Sequence, residues 1–132
     1  MRKFLKNYWK TVLATLVICF LCFAPLKSFG NVPTEFKDGD KLVHFFMFFL
    51  LGIAIYIDNQ HSRLKSKWVV ILFCWIFPIL FGLAIEGVQH FFLPFRHGDV
   101  KDWLFDCLGY IHGFVGVKLF YRIKNRINGT TN

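Results

Sequence analysis

The chain is short of acid and carries none of the common signatures of hydrolases or nucleotide-binding proteins. Its 132 residues hold 8 Asp and Glu against 16 Lys and Arg. There is no G-x-S-x-G, no H-E-x-x-H and no phosphate loop, so the nucleophile elbow, the zinc-protease helix and the P-loop are all missing from it. Cys19 and Cys22 form a C-x-x-C, but no second pair and no nearby His completes a metal or redox site. With Cys74 and Cys107 they lie in or beside apolar runs, where a thiol is a packing residue. A net charge of +8 without a basic arm interleaved with aromatics argues against a nucleic-acid partner.

What is present is hydrophobicity in blocks. Hydrophobic residues make up 55% of the chain and aromatics 20%, with 18 Phe. Four apolar segments stand out, at about Tyr8 to Leu26, Leu42 to Ile57, Trp68 to Ile85 and Trp103 to Tyr121. Each approaches the roughly 20 residues a helix needs to cross a hydrocarbon core. The second reaches that length by borrowing a turn from each flank. None alternates, and none has a polar stripe wide enough for a soluble amphipathic helix. The expected fold is all-α, a polytopic membrane bundle in one domain over residues 1–132.

Basic residues set the expected orientation. Arg2, Lys3, Lys6 and Lys10 precede the first segment; Arg63, Lys65 and Lys67 separate the second and third; Arg122, Lys124 and Arg126 follow the fourth. The other two loops carry Lys27, Lys37 and Lys41, then Arg96 and Lys101. The bias puts both termini in the cytoplasm, as four spans allow. Residues 1–30 are a first transmembrane helix or signal anchor, with Tyr8 and Trp9 as an interfacial anchor. Cleavage near Ser28 or Gly30 would leave three spans.

In that topology two loops far apart in sequence place their polar groups on the outer side. Glu86 and Gln89, spaced i and i+3, share a helix face with His90 at i+4. Glu86 lies 18 steps from Trp68, about 27 Å along a helix and so near the outer boundary. A carboxylate embedded in FGLAIEGVQHFF calls for a partner in the bundle, and Arg96 or His44 is the expected one. Asp99 follows Gly98 as an N-cap, and Asp102 falls at the third helical position, where acid complements the free amides. Capping leaves Asp106, two turns in, unexplained. Asp40 and His44 share a face of the second segment. Gly109, Gly113 and Gly116 form a small-residue face on the fourth, and Gly82 and Gly87 do the same on the third.

In order, these residues read D-K-x-x-H (Asp40, Lys41, His44), E-x-x-Q (Glu86, Gln89), Arg96 with Asp99, and D-x-x-x-D-x-x-G (Asp102, Asp106, Gly109). The set resembles the VanZ-like family of small bacterial membrane proteins over about residues 38–118. One departure is Asp106, where that family commonly has Asn. The resemblance implies a multi-pass protein of the bacterial cytoplasmic membrane, in a family whose founding member is associated with low-level resistance to the glycopeptide teicoplanin.

The leading expectation is an outward-facing polar pocket built from Asp40, Lys41, His44, Glu86, Gln89, Arg96, Asp99, Asp102 and Asp106. It would bind an envelope lipid or a peptidoglycan precursor, with Arg96 and Lys41 holding a phosphate or carboxylate. A second expectation is an enzyme acting on a lipid-linked substrate. Glu86 or His44 would then be the general acid or base, and a divalent cation such as Mg²⁺ or Ca²⁺ would sit on Glu86, Asp102 and Asp106. A third is a structural bundle whose charges only fix helix register. No other cofactor is indicated.

Overall fold

The computed structural model describes residues 7–23, 39–61, 67–93 and 99–129. Four helices account for nearly all of them. We label them α1 (Trp9–Phe23), α2 (Gly39–His61), α3 (Lys67–Phe92) and α4 (Val100–Gly129). The last three outrun the apolar segments that mark them in sequence. Apolar runs report which residues avoid water, whereas helices continue into polar flanks until the chain is capped or turned.

Contacts between helices define an up-down-up-down bundle. Thr11 at the start of α1 meets Asp58 near the end of α2, so these two are antiparallel. Along α2, His44, Gly52 and Tyr56 meet Asp106, Phe114 and Tyr121 in rising order on α4, so that pair is parallel. Cys74 of α3 faces Tyr110 of α4 while Glu86 faces Asp99, which makes α3 and α4 antiparallel. The buried core runs between them through Ile18, Phe48, Leu51, Ile55, Cys74, Ile85, Tyr110 and Phe114. None of the four cysteines forms a disulfide.

The α2–α4 contact is the closest, and glycine makes it so. Gly109 and Gly113, a G-x-x-x-G pair, seat the carbonyls of Phe45 and Phe49, which would collide with any Cβ there. Gly52 answers from the other side against Tyr110 and Phe114. Two of the expected packing glycines do otherwise. A Cβ on Gly116 or Gly87 would meet nothing within 4 Å. Gly82 does pack, against Asp106 and Trp103 of α4.

Helix α3 contains a π-helical turn over Leu72–Ile76, and Pro78 accounts for it. Proline has no N–H to give the carbonyl four residues earlier, and its ring crowds that carbonyl. That carbonyl belongs to Cys74, and the Tyr110 hydroxyl donates to it from α4. The irregular turn therefore finds its missing donor in a neighbouring helix.

The outside of the bundle is apolar. Helix α3 has a mean hydropathy of 2.6 over its most apolar window, of which only 22% is buried. Trp68, Leu72, Leu80 and Leu83 on it are all exposed. Helix α2, with a hydropathy of 1.8, is half buried. By length and composition these two helices suffice to cross a membrane. Helix α1 is 15 residues in its described length, and the charged ends of α4 dilute its apolar middle.

Candidate functional site

Asp40 and His44 lie in the first turns of α2, Glu86 in the penultimate turn of α3, and Asp99, Asp102 and Asp106 at the start of α4. The alternating directions of the helices bring all of them to one end of the bundle. Nδ1 of His44 lies 3.0 Å from Oδ1 of Asp106 and 3.7 Å from Oε1 of Glu86. The side chains of His44 and Asp106 are each 1% exposed, and that of Glu86 is 8% exposed. Asp106 thus has the internal partner its buried place in α4 demands, and the partner is His44. Gly82 makes room for it, since a Cβ there would come within 3.2 Å of Asp106 Oδ2.

The helix start at Asp99 shows how the carboxylates are shared out. Its Oδ1 accepts the Lys101 amide at 2.9 Å, as an N-cap should. In a capping box the acid at the third helical position would turn back to the N-cap amide. Here Glu86 Oε2 takes that Asp99 amide at 3.0 Å, from a different helix. Asp102, at the third position, is buried and stands with Asp40 and His44, their nearest ligand atoms all within 4.8 Å. Capping therefore accounts for Asp99 but does not exhaust Asp102. Asp40, Asp99 and Lys101 are exposed at the rim.

Among the described residues, two oxygens of this cluster have no hydrogen-bond partner, Glu86 Oε1 and Asp106 Oδ2, both out of contact with solvent. The opposite end of the bundle offers a comparison. Asp58, fully buried, accepts from the Thr11 amide at 2.8 Å, from the Thr11 hydroxyl at 2.9 Å and from Lys10 at 3.2 Å. Thr11 is in the first turn of α1, whose amides lack helical acceptors, so Asp58 caps α1 from across the bundle. It is a satisfied structural carboxylate. The cluster around His44 is not satisfied in that way.

Other expected members fall elsewhere. Gln89 is buried, and its amide donates to the Cys22 carbonyl at 3.2 Å, fastening the end of α1. His90 does not share the buried face of Glu86: it is exposed, edge-on to Phe91. At about 100° per residue, the buried positions Gly82, Ile85, Glu86 and Gln89 centre about 90° away from it. Lys41 is half-buried beside the cluster. Arg96 lies outside the described residues.

The core of the cluster, His44, Glu86, Asp102 and Asp106, is buried. An apolar groove of about 570 Å³ runs between α1 and α2, lined by Leu13, Val17, Leu42, Phe46 and Leu50 on the outer surface. A second, of about 400 Å³, lies at the far end beside His61, Lys118 and Arg122. Neither groove is lined by His44, Glu86 or Asp106.

Fold and cluster together define a class: a four-helix bundle, apolar outside, with a buried histidine–carboxylate cluster at one end. The chain belongs to the family described as VanZ/LLP1, whose model matches residues 2–121. It is also similar to a protein of Schizosaccharomyces pombe described as uncharacterized protein C11E3.10, with 35% identity over 100 residues. That match covers 76% of this chain, which spans only 58% of the relative's length. The similarity thus extends to a eukaryote. No solved structure matches the chain.

Proposed function

We propose that this chain is a multi-pass protein of the bacterial cytoplasmic membrane, with both termini cytoplasmic, whose histidine–carboxylate cluster binds the headgroup of an envelope lipid or peptidoglycan precursor. Three features support the membrane reading. A helix of hydropathy 2.6 with most of its apolar window uncovered is not the core of a soluble protein. The glycine-seated α2–α4 contact is the close approach that packing without a hydrophobic driving force requires. Among the described residues, Lys10, Lys67, Lys118, Arg122, Lys124 and Arg126 lie at the end of the bundle opposite His44, against Lys41 and Lys101 at the His44 end.

One observation carries the binding reading. Glu86 and Asp106 each keep a buried oxygen with no hydrogen-bond partner among the described residues, at a cost of about 1–3 kcal/mol apiece. A device that only fixed helix register would be satisfied, as Asp58 is. Groups left at that cost are held for something that binds between them.

The test compares protein level with phenotype. Glu86→Gln and His44→Ala are expressed in a strain lacking the native gene, and sensitivity to teicoplanin and other envelope antibiotics is measured. Normal membrane levels with a lost phenotype are expected. A phenotype fully explained by lower protein level would sink the binding reading in favour of a structural one. The alternative of an enzyme acting on a lipid-linked substrate has one observation behind it: Asp106 holds His44 through Nδ1, as the orienting acid holds a general-base imidazole. Lipid bound normally by His44→Ala without restored function would select it.

A further inference from the structure

We propose that His44, Glu86 and Asp106 form a site for one first-row divalent cation, Zn²⁺ or Mn²⁺, approached from the rim through Asp102 and Asp40. The donor set is one imidazole nitrogen and two carboxylates, drawn from three helices, with ligand atoms within 4.8 Å of one another. Around a tetrahedral ion with bonds of about 2.1 Å, neighbouring ligand atoms stand about 3.4 Å apart. The separations from His44 Nδ1, 3.0 Å to Asp106 and 3.7 Å to Glu86, straddle that value.

An independent observation points to a ligand. Among the described residues, Glu86 Oε1 is buried, aimed at His44 and without a hydrogen-bond partner, while Asp106 Oδ2 is likewise unpartnered. Charge points the same way. Within the three-residue set the histidine supplies at most one positive charge against two carboxylates, with Asp102 as a third close by and Lys41 half-buried beside it. Held in apolar surroundings, such a set needs compensating positive charge. The imidazole also changes which ion is expected. Carboxylates alone suit Mg²⁺ or Ca²⁺, whereas a nitrogen donor beside them moves preference to Zn²⁺ or Mn²⁺.

A cation there turns an acidic cluster into a receptor for an anion. Three protein ligands leave a position open, and a phosphate or carboxylate oxygen of a headgroup fits it. That link rests on the headgroup reading above; the metal site itself does not.

The test uses the full chain purified in mild detergent through a tag without histidine. After dialysis against Zn²⁺ or Mn²⁺, bound metal is counted by mass spectrometry and affinity is measured by calorimetry, with no lipid added. About one ion per chain is expected. Removing a direct ligand should weaken binding at least as much as losing an outer-shell partner does, about 10–100-fold. Glu86→Gln and Asp106→Asn should therefore lose it. The exposed His90→Ala and His112→Ala should bind as wild type. Circular dichroism confirms that each variant is helical. A folded wild type that binds neither ion overturns the inference, as do Glu86→Gln and Asp106→Asn variants that bind normally. Metal bound as expected, with antibiotic sensitivity unchanged in the same variants, would support the site and sink the headgroup reading alone.

Discussion

Tyr110→Phe removes one hydroxyl, and Pro78 determines what that costs. The hydroxyl donates to the Cys74 carbonyl, which lacks the usual donor four residues on because residue 78 is proline. Both sites are buried, with Cys74 at 1% and Tyr110 at 2% exposure. The substitution leaves a carbonyl unsatisfied in an apolar interior, at about 1–3 kcal/mol, with almost no change in packed volume. Pro78→Ala restores an N–H four residues after Cys74. In that background the carbonyl regains a helical donor and the Tyr110 hydroxyl becomes redundant. Tyr110→Phe should then be close to neutral. The cycle isolates this coupling, because any cavity left by removing the proline ring is common to both of its arms. Thermal unfolding in mild detergent, followed by circular dichroism, measures all four proteins. An equal cost of Tyr110→Phe in both backgrounds would refute the link between the proline and the tyrosine.

Other substitutions probe the rest of the bundle. Gly113→Ala drives a Cβ into the Phe49 carbonyl and should cost about 1–3 kcal/mol. Gly116→Ala meets nothing and should be neutral or mildly stabilising. Similar losses at both positions in the same unfolding assay would contradict the glycine-seated α2–α4 contact. Asp58→Ala strips the acceptor from the Thr11 amide and hydroxyl and should destabilise by about 1–3 kcal/mol, with α1 the first helix to release. Hydrogen exchange that showed α1 as protected as before would count against that cap.

Much of the architecture was legible along the chain, because its signals are local. Four apolar runs, a cap at Asp99 and an odd acid at Asp106 are visible without any neighbour. The alternation of helix direction then forces His44, Glu86 and Asp106 to one end. What escaped depends on rotation and lateral contact. Gly113 and Gly116 look alike in sequence, yet only one lies against Phe49. His90 follows Gln89 by one residue and turns away from the core. Asp58 was the clearest omission: it falls one residue past the expected end of the second segment at Ile57, so it reads as a loop charge. Its signal was an acid directly abutting an apolar run, the same signal that singled out Glu86. The Tyr110–Cys74 bond follows from Pro78 only once α3 and α4 are known to touch.

On the proposed function, the His44 cluster is kept for what it binds, at some expense to stability. Glu86→Gln tests it most directly. Its amide oxygen can still accept the Asp99 N–H, while the substitution removes the charge and the carboxylate oxygen that lacks a partner. Measured by thermal unfolding in detergent without added metal, the variant should unfold at a temperature equal to or above that of wild type. A clear fall in that temperature would mean that Glu86 is there to hold the helices together, and would contradict the claim.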